Sequence, residues 1–325
     1  MRAFMWTFDA NRGHQAPLMA SSVEPKNYKL HLSLSEPNCI RRSRLLTSNF
    51  LLLTSFFCLL TSALCLRAAA WRYQVVEVKP HVFVWAPEDI RDQEADPEYD
   101  RAGSAGFVIT DAGVVVINTT NSPFHAREIL YEIRARTEQP VKYVINTDGA
   151  PDHFLGNEVF ADLKATLFST AEAQSQMRAY QQQLVRRLDG DDELSAAMRS
   201  FHPTPATETS TDDWTLHLGG RDLKLISVPA GPSPGTAVVY LPDAKVLFLG
   251  ALYENGMIPR LDSADLKGWI EFLHKVATWD VDVYIPGHGP AGGKRELAEF
   301  QRFLEFLASR PGPTPAEPAP HPKWR

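Results

Sequence analysis

The sequence predicts an α/β fold rich in sheet, on three observations. Short β-rich runs bounded by turn residues recur from Tyr73 to Ile285. Segments with apolar residues at helical spacing lie between them, as in Ile129, Leu130 and Ile133. At 44% hydrophobic and 22% charged residues, the 325-residue chain has enough apolar material for a sizeable core.

The predicted elements follow in order. Tyr73–Val78 and His81–Trp85 are short strands. Phe107–Thr110 and Val114–Asn118 form a hairpin, with Asp111-Ala112-Gly113 as its turn. Ala126–Arg136 is a helix, and Val141–Ile145 reads as a buried strand. Ala171–Phe201 is polar and rich in Gln and Ala, and reads as two helices broken at Gly190-Asp191-Asp192. Trp214–Leu218, Leu223–Val228, Ala237–Leu241 and Val246–Leu249 are strands. Leu266–Trp279 is an amphipathic helix, Val281–Ile285 a strand and Glu296–Leu307 a last helix. With no internal repeat and no clear boundary, residues 71–310 read as one domain, followed by a Pro-rich flexible tail at 311–325.

The first 70 residues differ from the rest. Arg41-Arg42-Ser43-Arg44 precedes an apolar run, Phe50–Leu66, and then Ala68-Ala69-Ala70. This is the pattern of a secretory signal peptide over residues 41–70, cleaved after Ala70. The expectation is an exported protein, with a membrane anchor at residues 50–66 as the alternative. Residues 1–40 stand outside this pattern as an unstructured or misassigned extension. Cys39, Cys58 and Cys65 all fall within the first 70 residues, so the expected mature chain has neither a disulfide framework nor a thiolate ligand. Residues 71–325 carry 25 Lys and Arg against 36 Asp and Glu, a net charge of −11. That acidic body lacks the basic footprint of a nucleic-acid binder. A small-molecule substrate or ligand is expected instead, with membrane contact only if the signal segment is retained.

Candidate chemistry centres on Asn146-Thr147-Asp148-Gly149-Ala150-Pro151-Asp152-His153, which follows the strand at Val141–Ile145 directly. The stretch resembles the His-x-His-x-Asp-His loop of the metallo-β-lactamase superfamily, with Asp148 and Ala150 standing at the two leading histidines. Further landmarks follow in the family's order. Gly106–Ile109 and Val114–Asn118 match its early hairpin, with Asn118 at a position usually Asp. Gly231–Thr236 matches a Gly-His-Thr-Pro-Gly-Asp segment, with Pro232 at the His. Val246–Ala251 matches a strand that delivers a metal-bridging Asp, here Ala251. Ile285-Pro286-Gly287-His288-Gly289 keeps the late histidine.

The resemblance implies a four-layer αββα sandwich and a hydrolase of metallo-β-lactamase type. It also implies that the usual two-zinc centre is lost, because Ala150, Pro232 and Ala251 have no lone pair to offer. The second metal position keeps its ligands, Asp152, His153 and His288, which are sufficient for one Zn²⁺ or Fe²⁺. Asp152 and Asp148 are the candidate catalytic carboxylates, Asp148 as an auxiliary ligand or general base. The expected function is at most that of a mononuclear metal-dependent hydrolase of a small-molecule ester, thioester or amide. The alternative is a non-catalytic descendant that binds a small molecule or partner protein in the old cleft. In that plainer reading Asp152 caps the following helix, and His153 and His288 are satisfied by each other or by backbone. His81, His125, His202, His217 and His274 lack partner spacing. Trp71, Trp85, Trp214, Trp269, Trp279 and Tyr253 are read as packing residues. Asp96–Arg101 and Tyr253–Ile258 are expected at the pocket mouth.

Overall fold

Alternation of inward and outward side chains along the strands builds two sheets with buried residues on both faces. A computed structural model describes residues 73–87, 102–188, 201–261 and 264–309. The first sheet contains β1 (Tyr73–Lys79), β2 (Val82–Pro87), β3 (Ala105–Thr110), β4 (Gly113–Ile117), β5 (Val141–Ile145), β6 (Thr166–Thr170) and β7 (Glu208–Ser210), in that order. The second contains β8 (Trp214–Leu218), β9 (Arg221–Ser227), β10 (Ala237–Leu241), β11 (Val246–Glu254) and β12 (Val283–His288), ordered β12-β11-β10-β9-β8. Pairing is antiparallel from β1 to β4 and from β8 to β11. It is parallel from β4 to β7 and between β11 and β12. The helices are α1 (Pro123–Arg134), α2 (Pro151–Phe154), α3 (Asn157–Asp162), α4 (Ala171–Leu188), α5 (Leu266–Ala277) and α6 (Lys294–Ala308).

Three apolar cores separate four layers. On β4, Val114 and Val116 join Phe107 of β3, Ile129 and Ile133 of α1, Phe160 of α3 and Met177 of α4. Val115 and Ile117 point the other way and meet Val239, Val246 and Phe248 between the sheets. Leu247 and Leu249, on the opposite face of β11, pack with Trp269 and Leu273 of α5 and Phe300 and Leu304 of α6. This is the αββα sandwich that the resemblance implied.

Local sequence explains the helix ends. The Ser122 hydroxyl accepts the His125 N–H at 3.3 Å before Pro123 opens α1. Asp265 accepts the Gly268 N–H at 3.0 Å to start α5. The Trp269 indole N–H then donates to the Leu252 carbonyl at 2.7 Å, tying α5 to β11. The observed elements add β6, β7, α2 and α3 to those the sequence pattern names, and β11 runs on to Glu254. Phe201 lies outside a helix. The Gly190 break, Trp71, Asp96–Arg101, the signal segment and the Pro-rich tail fall outside the described residues. Among the described residues, no helix is long and apolar enough to cross a membrane.

Candidate metal centre

The C-terminal ends of the parallel strands β4, β5, β11 and β12 carry the chemistry-bearing side chains, as is usual in α/β sheets. After β5 the chain turns through Asn146–Ala150 into α2, and buried hydrogen bonds lock that turn. Asn118, at the end of β4, accepts the Thr147 N–H at 2.9 Å, and its amide donates to the Thr147 hydroxyl at 2.9 Å. The Thr147 hydroxyl lies 2.9 Å from Asp148 Oδ2 and donates to it. The His153 carbonyl accepts from the Thr119 N–H at 2.8 Å and from the Asn146 side chain at 3.2 Å. Asn157 on α3 donates in turn to Asn146 at 2.9 Å. β11 passes beside this turn because Gly250 has φ +52, where a side chain would also strike Thr147.

Two carboxylate–histidine pairs result. Asp148 Oδ2 lies 2.7 Å from His153 Nδ1, with both side chains buried, and Asp148 Oδ1 accepts the Ala150 N–H at 2.9 Å. Asp152 Oδ2 lies 3.0 Å from His288 Nε2, and Glu254 holds His288 Nδ1 on the other side of that ring. The two imidazole rings are 5.7 Å apart. One donor atom from each of Asp152, His153 and His288 lies within 4.8 Å of the others. The structure thus brings the three predicted metal ligands together and sets Asp148 behind His153.

Charge compensation is visible in the acidities. Burial pushes the Asp148 carboxyl up, but the charge and hydrogen bond of His153 outweigh it, and the net shift is downward. Asp152 is likewise pushed up by burial, then held well below the usual carboxylate range by His153 and His288. Burial pulls His153 down, yet Asp148 and Asp152 raise it to about 9. His288 is pulled down by burial and raised well above its ordinary value by Glu254 and Asp152. His153 Nε2 is buried and has no hydrogen-bond partner. That nitrogen is what the plainer reading leaves unexplained, because a buried polar atom without a partner is costly.

Three residues of the centre were not singled out for a role in it from the sequence. Glu254, expected only at the pocket mouth, lies inside the group. Gly103 and Ser104 form a strap that joins its two sides. The Gly103 N–H donates to the Asp152 carbonyl at 3.1 Å, and the Ser104 N–H donates to the Gly287 carbonyl at 2.6 Å. Any Cβ at position 103 would fall about 2.6 Å from His153 Nε2, so the strap lies flat on that ring only because residue 103 is glycine. Of the histidines set aside, His217 pairs with Asp222 and His274 with Glu305, while His125 packs against Trp85. Trp85, Trp269 and Tyr253 are buried in the cores as expected.

The family model for the metallo-beta-lactamase superfamily matches residues 99–288. The chain belongs to the metallo-beta-lactamase superfamily. This is a family of metal-dependent hydrolases that usually binds zinc. A linear primary-alkylsulfatase from Pseudomonas sp. (strain ATCC 19151) is 24% identical over 226 residues, covering 59% of this chain and 42% of the relative. The chain therefore spans less than half the length of that relative. A metallo-beta-lactamase from Pontibacter korlensis superposes with a TM-score of 0.56 at 22% identity, over 72% of this chain and 99% of that one. VMB-1 gives 0.58 at 18% identity, over 73% and 98%. At these identities the likeness to the solved structures shows the fold alone.

Proposed function

We propose that this protein binds one divalent metal ion, zinc in the first instance, through Asp152, His153 and His288, and hydrolyses an ester, thioester or amide of a small molecule. The observation that carries the reading is the convergence of those three donors within 4.8 Å, one of them the ring whose Nε2 is buried and unpartnered. Two imidazoles and a carboxylate suit zinc and leave a coordination position for substrate or water. When bound, the ion would polarise a substrate oxygen and acidify water near neutral pH.

The residues around it have separable tasks. Asp148 accepts the Nδ1 proton of His153, so Nε2 is the nitrogen left to act as donor. With one oxygen shared by His153 and Thr147 and the other on the Ala150 N–H, Asp148 orients His153 rather than taking a substrate proton. Asp152 keeps 21% of its side chain exposed and is the carboxylate that substrate can reach. The residues do not fit a second metal ion, since Ala150, Pro232 and Ala251 carry no donor. The pattern of residues 41–70 supports export of this hydrolase.

A non-catalytic binder is the second reading. The pairs Asp148–His153 and Asp152–His288–Glu254 support it, because they balance buried charge without a cation. Metal content per chain separates the two readings. The wild type is expected to hold close to one zinc, lost in His153→Ala plus His288→Ala. Sub-stoichiometric zinc unchanged by the double substitution would sink the enzyme reading. Turnover is then screened on esters, thioesters and amides, and the alkylsulfatase relative adds primary alkyl sulfates to that panel.

A further inference from the structure

Glu254 ends β11 as a carboxylate only 7% exposed. The parallel pairing of β11 with β12 places it opposite His288. Between Gly250↔Pro286 and Glu254↔His288, β11 advances four residues while β12 advances two, an irregularity that shifts the register just before the site. The Asn255 N–H closes the pairing by donating to the His288 carbonyl at 3.0 Å. Both carboxylate oxygens then face one ring nitrogen, with Oε1 3.2 Å and Oε2 3.1 Å from His288 Nδ1. The other ring nitrogen, Nε2, lies 3.0 Å from Asp152.

A buried carboxylate is expensive unless a donor compensates it. Here the donor is the imidazole that supplies the late metal ligand. We propose that Glu254 is the positioning residue for His288: it accepts the Nδ1–H, fixes the ring and its tautomer, and directs Nε2 to the cation site beside Asp152. The proposal rests on the one-metal reading above. It makes the centre symmetrical, with Asp148 behind His153 and Glu254 behind His288. A carboxylate behind a histidine also raises the basicity of its other nitrogen, and losing such a partner typically costs 10–100-fold in metal affinity.

The test uses the full chain as wild type, Glu254→Gln, Glu254→Leu and His288→Ala. Zinc affinity is read by competition with a chromophoric chelator. The His288 tautomer is read by long-range ¹H–¹⁵N NMR on zinc-loaded protein, and unfolding is followed without metal. Expected are an Nδ1–H tautomer at His288 in the wild type, zinc affinity about tenfold weaker in Glu254→Gln and about a hundredfold weaker in Glu254→Leu. Glu254→Gln keeps an acceptor for His288 Nδ1 but loses the charge, so its metal-free unfolding midpoint should fall while the chain stays folded, and zinc affinity is read on folded protein. An Nε2–H tautomer in the wild type overturns the proposal. So does a lowered metal-free midpoint with unchanged zinc affinity, which makes Glu254 merely structural. Zinc held equally by wild type and Glu254→Gln, but lost in His288→Ala, removes the role of Glu254 and leaves the metal reading standing. Failure of the wild type to bind zinc removes both.

Discussion

Asp148 stands where the superfamily resemblance places a histidine, and that exchange changes what His153 meets. Its carboxylate supplies charge and a hydrogen bond inside the fold, so the pair contributes to stability even without metal. The pH window follows from the shifts. His153 is raised from 6.5 to about 9, so its contribution is complete below 6.5 and fades as pH climbs through 9. Asp148 and Asp152 are lowered, so theirs holds above the usual carboxylate range and fades as pH falls below it. Asp148→Ala in chelator-treated protein is expected to cost about 3–5 kcal/mol at pH 7, as for other broken buried pairs. At pH 10, where His153 is already neutral, the loss should shrink. Urea unfolding at the two pH values checks this, and equal losses would refute it. Gly103→Ala acts on the same ring from its other side. The added methyl collides with His153, so zinc affinity should fall about tenfold and stability by roughly 1–3 kcal/mol from overpacking. An unchanged chelator-competition curve would contradict that. At this scale the convergence of Asp152, His153 and His288 was foreseeable from the family resemblance, which carries their positions. Gly103 was not, since what matters there is the absence of a side chain. Glu254 was not, because its partner lies 34 positions away and only strand register joins them.

Elements with a clear period were legible, and those whose burial is polar or brief were not. β6 reads Thr-Leu-Phe-Ser-Thr, and its buried Ser169 and Thr170 look like surface residues until their hydroxyls are seen donating to the backbone carbonyls of Thr170 and Gly235. β7 has three residues and α2 four, too few to show any period. Gly250 interrupts the apolar run of β11, although the strand continues through it in a left-handed turn. On α1 the period shows clearly through Ala126, Ile129 and Ile133, but it does not reveal the state of Glu128. Partial burial raises that carboxyl to about 7. A carboxylate whose folded pKa is raised subtracts from stability once pH exceeds its unfolded value of 4.5. Glu128→Gln should therefore stabilise the protein at pH 8, by about 1 kcal/mol after discounting for solvent screening. That is about 2–4 °C in a domain of this size, with little change at pH 4. Thermal unfolding at the two pH values measures it. A gain of equal size at both would assign the effect to something other than charge.

The candidate centre sits where the two sheets meet, and each contributes part of it. Asp148, Asp152 and His153 follow β5 of the first sheet, while Glu254 and His288 end β11 and β12 of the second. The strap through Gly103 and Ser104 bonds to both sides, at Asp152 and Gly287. A cation held by Asp152, His153 and His288 therefore cross-links the halves of the sandwich, and the unfolded chain cannot hold these donors together. Binding only to the folded state stabilises by RT ln(1 + [L]/Kd), about 2.7 kcal/mol at a free ligand concentration a hundredfold above Kd. For a domain of this size that corresponds to a rise of roughly 5–10 °C in the unfolding midpoint. The rise should vanish in His288→Ala, which removes the second sheet's ligand and leaves Asp152 and His153 in place. Differential scanning calorimetry with zinc and with chelator, on wild type and His288→Ala, provides the measurement. A zinc-induced rise that survived in His288→Ala would show that any bound ion is held within the first half alone. In that case the seam would owe its cohesion to apolar packing between the sheets and to the Gly103–Ser104 strap, with the His288–Glu254 pair serving the fold rather than the metal.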